Sequence, residues 1–128
     1  MWTSSISNKR MWTSTFGEDY SPASMHISYA MLDGNSICLK LHNKIEPISA
    51  PKKWLEKYNE YEFNLYIVSI EDFKVENFNF SGPTTLTITQ TDSSYKVKLE
   101  FANSCIAVCN AENITIANIK AYHNDGAI

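Results

Sequence analysis

The chain has 128 residues, 44% apolar and 20% charged, with a formal net charge of -3, a pI near 5.5 and one arginine, Arg10. That length suits a single domain whose core needs no staples, since a chain of this size buries roughly 68% of its unfolded surface. The acidic balance excludes a protein that tracks phosphates with clustered Lys and Arg. No run of about 18 apolar residues is present to cross a bilayer as a helix.

The chain opens on a short duplication, Met1-Trp2-Thr3-Ser4-Ser5 and Met11-Trp12-Thr13-Ser14-Thr15. Residues 1–11 are read as a poorly ordered extension, with Met11 an alternative start, or as part of a short helix carrying Trp12 and Phe16 on one face at i, i+4 spacing. Residues 25–32 and 36–42 alternate around Asp33-Gly34-Asn35, a strong hairpin signal. A three-residue turn would pair Met31 with Ile37, Tyr29 with Leu39 and Ile27 with Leu41, and would set His26 against His42. Alternation stops at residues 43–58, where Pro47 and Pro51 lead into Lys52-Lys53-Trp54-Leu55, read as an ordered loop with one helical turn.

Residues 60–69 and 73–80 are read as two strands separated by a bend at Glu71-Asp72. Ser81-Gly82-Pro83 breaks the chain before a hairpin of residues 84–91 and 95–101 around Asp92-Ser93-Ser94, in which Ile88 meets Val97 and Leu86 meets Leu99. Residues 104–109 and 114–122 complete the set. The sum is a mainly β fold of about eight antiparallel strands, as a sandwich, half-barrel or curved sheet, with at most one or two short helices. It occupies residues 1–128 as one domain.

Reactive chemistry is sparse. Four isolated glycines make no phosphate-cradling loop, and no nucleophile lies on a strained turn beside a base, so no catalytic residues are assigned. His26 and His42 lack the further ligands a metal needs, and no cofactor is expected. Cys38, Cys105 and Cys109 fit neither zinc spacing nor a disulfide, because Cys105 and Cys109 would lie about 13 Å apart along one strand. Reduced thiols and the lack of a secretory apolar stretch point to the cytoplasm, so the glycosylation sequons at Asn79 and Asn113 are read as chance.

Six of the fourteen carboxylates, Glu56, Glu60, Glu62, Glu71, Asp72 and Glu76, fall within 21 residues. If they converge they form a negative patch that speeds association with a basic protein. The alternative is a solvated strand face with interspersed Lys57 and Lys74. A curved apolar sheet could also enclose a small hydrophobic ligand, although Phe63, Phe73, Phe78, Tyr95 and Phe101 are expected to fill such an interior.

Ser24-Met25-His26 opening the first strand, the Asp33-Gly34 hairpin, Pro51-Lys52-Lys53-Trp54, and Phe73-Lys74-Val75-Glu76-Asn77-Phe78 follow an order that resembles the immunity protein 50 family of bacterial polymorphic toxin systems. The resemblance spans roughly residues 16–122. It implies a non-enzymatic cytoplasmic inhibitor that covers a cognate toxin domain, with no nucleic acid or membrane as partner. A nuclease toxin fits best, its basic site meeting Glu60, Glu62, Glu71, Asp72 and Glu76, with Trp54 and Tyr58 as anchors.

Overall fold

The computed structural model describes residues 1–126. Six antiparallel strands form one sheet closed into a barrel in the order β1-β2-β3-β6-β5-β4: β1 Ser24–Asp33, β2 Ser36–Lys44, β3 Glu60–Glu76, β4 Pro83–Gln90, β5 Tyr95–Phe101 and β6 Ile106–Tyr122. Helix α1 covers Lys9–Phe16 and the single-turn α2 covers Lys52–Leu55.

The eight strands expected are six because two pairs run together. Strand β3 continues through Glu71-Asp72, where Asp72 takes a left-handed φ of 54° and the register against β6 slips. Such a bulge bends a strand without ending its pairing. Strand β6 likewise absorbs residues 110–113, read from sequence as a connection, and carries a second slip at Asn118, φ 57°. These bends let two 17-residue strands wrap the barrel, so the sheet closes fully where the sequence predicts a sandwich, half-barrel or curved sheet.

The β4–β5 hairpin adopts the expected register, with Leu86 opposite Leu99 and Ile88 opposite Val97. The first hairpin differs. A two-residue turn at Gly34-Asn35, with Gly34 at φ 61°, sets Leu32 against Ile37 and Ala30 against Leu39, and a bulge at Ser28 then restores Ile27 to Leu41 and His26 to His42. Tyr29 and Met31 therefore leave the inward row assigned to them.

Residues 1–11, read from sequence as a poorly ordered extension or as part of a short helix, hold three buried residues in their first six, Trp2, Thr3 and Ile6, and enter α1 at Lys9. The Trp2 indole N–H donates to the Pro22 carbonyl at 2.8 Å, and its ring stacks on Phe63. Asn8 exchanges two hydrogen bonds with the Ile116 backbone through its amide, pinning α1 against β6. Trp12 and Phe16 lie on one helix face as expected and join Tyr20, Tyr61 and Phe63 in a continuous aromatic cluster. One end of the barrel is thus plugged by the chain's own start. Large aromatic rings account for this placement, because each removes an area that no aliphatic side chain equals.

Candidate functional site

The other end is open. Strand β1 reaches β4 only through Ser24–Thr85, Met25–Thr84 and His26–Pro83. Past that clasp the antiparallel register would bring Gly82 against Ile27, but Gly82 takes a φ of 77° and the chain at residues 77–82 swings away. Residues 27–33 of β1 are consequently paired to β2 on one edge and to no strand on the other, among the described residues.

Between that edge and the diverging loop lies a cavity of about 500 Å³. Its floor is Ile37, Leu39 and Ile67 with Val97 and Leu99, and its rim includes Leu32, Phe73 and Phe78. The lining is mostly apolar, and the Cys109 thiol within it is pushed up to about 11 by burial, hence protonated at neutral pH. Phe80 stacks on Phe101 at 4.8 Å and holds Phe78 at the lip, where Phe78 is 75% exposed and Leu32 opposite is 68% exposed. Of the bulky residues expected to fill the interior, Phe63 and Phe101 are buried in the core and Tyr95 packs against it, whereas Phe73 and Phe78 line the hollow. A legible signal existed, since Phe78 and Phe80 fall in the Asn-, Ser- and Gly-rich run 77–83, a loop signature in which aromatic side chains have no strand face to bury them.

The residues singled out from sequence do not form one patch. Glu60 is 3% exposed and accepts hydrogen bonds from the Tyr122 hydroxyl at 2.6 Å and the Asn124 side-chain amide at 3.2 Å. Desolvation first and this carboxylate second raise the Tyr122 phenol above its ordinary value. Glu62 is held by Lys40 at 2.6 Å and Lys120 at 3.8 Å. Both carboxylates brace the barrel wall.

Trp54 is half-buried against Phe16 and Tyr61, while Tyr58 is exposed at the same plugged end. Glu71, Asp72 and Glu76 lie on the far part of β3, and the nine strand steps from Glu62 to Glu71 correspond to about 30 Å. All three are exposed, and none has an ion-pair partner among the described residues. Asp72 accepts a hydrogen bond from the Asn110 amide, and Glu71 faces a small polar cleft with Glu112.

His26 and His42 stack with ring centroids 5.4 Å apart, and the His42 Nδ1 lies 2.8 Å from the Ser28 hydroxyl. Burial foremost, and then the neighbouring His26, lower the His42 pKa, with Glu60 opposing. No grouping of three or more His, Cys, Asp or Glu suited to a metal occurs among the described residues. The three cysteines are free. No helix among these residues is long and apolar enough to cross a membrane.

Fold and site define a small β-barrel with one end self-sealed and the other an apolar mouth beside unneutralised carboxylates. The family model of Immunity protein 50 matches residues 8–122, and the chain belongs to that family. No curated protein and no solved structure matches it.

Proposed function

We propose that this chain neutralises one cognate toxin domain in the cytoplasm by stoichiometric binding, without turnover of its own. The observation that carries the reading is the family match over residues 8–122. Two features of the molecule support it. The apolar mouth offers the exposed large side chains that protein interfaces concentrate at their centre. Glu71, Asp72 and Glu76 leave that end of β3 with three carboxylates against one Lys74, a field that favours a basic partner such as a nuclease with a phosphate-binding site. Glu60 and Glu62 are engaged by Tyr122, Asn124, Lys40 and Lys120, and Trp54 and Tyr58 belong to the opposite end, so the contact is assigned to the mouth.

Co-expression with the toxin encoded beside its gene tests this. Growth should be restored, and the two chains should co-purify in a 1:1 complex. Cells that die at the same rate with and without ample folded chain would end the reading.

A second reading, a carrier of a small hydrophobic molecule, is favoured by the cavity itself, whose volume of about 500 Å³ lies within the ordinary range for ligand sites. Native mass spectrometry of the purified chain separates the two. A bound apolar molecule at full occupancy would favour the carrier.

A further inference from the structure

We propose that an extended segment of the toxin adds as a strand to the outer edge of β1 over residues 27–33 and sinks an apolar side chain into the mouth. This rests on the reading of the chain as an immunity protein. Three independent features converge on it. First, the β1 edge beyond His26 presents backbone groups that no strand among the described residues satisfies, and an exposed edge of this kind is a template for another chain. Second, the hollow opens along that same edge, because Ile27, Ala30 and Leu32 are both edge residues and cavity wall. A strand laid there would alternate side chains into the hollow and away from it.

Third, charge selects the occupant. Asp33 ends β1 immediately after Leu32, and Glu76 ends β3 immediately after Val75, so carboxylates follow two wall residues. Neither has an ion-pair partner among the described residues. A second copy of this chain added antiparallel to that edge through a two-fold axis would bring no basic side chain from residues 27–33 to either carboxylate. A small apolar molecule would fill the hollow yet leave Leu32 and Phe78 in water. A basic segment with an apolar anchor satisfies edge, hollow and rim together.

The test uses the full chain labelled with 15N and the toxin domain encoded beside its gene, catalytically silenced. Amide exchange followed by NMR should slow by about tenfold or more at alternate positions of residues 27–33 on binding, as newly paired backbone requires. The Ala30→Trp variant should weaken the toxin Kd by on the order of 100-fold, the loss of a central anchor pocket. Ala30 is exposed, so this ring fills the mouth without entering the packed core. Unchanged thermal unfolding of A30W confirms that it is folded.

If wild-type chain binds the toxin but exchange at residues 27–33 is unaltered and A30W binds as tightly, the strand addition is overturned while the immunity reading stands. If wild-type chain does not bind at all, both fall. Two further results overturn the assignment of the occupant: a homodimer that A30W abolishes, and an apolar molecule seen by native mass spectrometry whose removal leaves toxin binding unimproved.

Discussion

The two ends of this barrel are built from the same kinds of side chain and finished differently. At one end Trp2, Ile6, Trp12, Phe16 and Tyr20 come from the N-terminal segment and close over Tyr61 and Phe63, every one of them below 8% exposure. At the other, no segment among the described residues arrives, and four of their ten exposed large apolar side chains, Tyr29, Leu32, Phe73 and Phe78, border a single hollow. Apolar side chains that have found partners within the chain act on stability. Those left at the mouth cost the free protein favourable burial, and such a patch marks a surface that acts on something else.

That contrast predicts that truncation separates the ends most sharply. A chain starting at Met11 loses Trp2, Ile6 and the Asn8 clamp, and removal of one buried Trp and one buried Ile together is expected to cost at least about 5 kcal/mol. A domain of this size has about 5–15 kcal/mol in all, so urea unfolding should find the shortened chain marginal or unfolded. A truncated chain as stable as the full one would erase the distinction. Next in size, Tyr61→Phe leaves the buried Tyr20 hydroxyl without its 2.6 Å partner, a loss of about 1–3 kcal/mol by the same measurement. Burial raises both phenols, so neither ionises in the working range.

Phe78→Ala, at the lip of the mouth, should shift unfolding by less than about 0.5 kcal/mol because the ring is already in water. Its effect belongs to the complex, where calorimetry should show toxin affinity falling by about tenfold or more. Asp72→Lys with Glu76→Lys should slow association by about tenfold at low salt, whereas Glu62→Gln should leave the rate alone, its carboxylate being held by two lysines. Equal slowing by both would mean that the mouth is not where the toxin arrives.

Much of this fold was legible locally. The turn signals Asp33-Gly34 and Asp92-Ser93-Ser94 located both hairpins, and the alternation of residues 84–101 set the register of the second, because period-two burial leaves one face to choose, whereas the two-residue turn and the bulge at Ser28 shifted the register of the first. The bulges were not. Glu71-Asp72 reads as a bend that separates two strands, and only pairing to β6, whose partner residues lie more than thirty positions away, keeps it within one strand. The aromatic plug was equally hidden, since Trp2 is placed by Pro22 and Phe63 and no repeating pattern in residues 1–8 announces burial. For the site, closeness in sequence misled: the carboxylates from Glu60 to Glu76 are spread along a strand, and Glu60 is buried against Tyr122. The mouth depends on where β1 and β4 part, a property of the closed barrel rather than of any segment.

The smallest effect concerns the clasp that divides the two ends. His26 pairs with Pro83 at the last rung joining β1 to β4, and His42 stacks on it. Because the folded His42 has a pKa below its ordinary value near 6.5, the unfolded chain takes up the proton first as pH falls. The contribution is therefore complete above about 6.5 and is lost as pH drops through the lower folded value. Thermal unfolding should show the difference between wild-type and His42→Gln chains shrinking on acidification through that window. His26→Ala removes the like-charge neighbour, though not the burial, so the His42 resonance should titrate at higher pH by NMR. A His42 titration unmoved by that substitution would mean that burial alone sets it and that the stacked pair carries no acid sensitivity to the clasp.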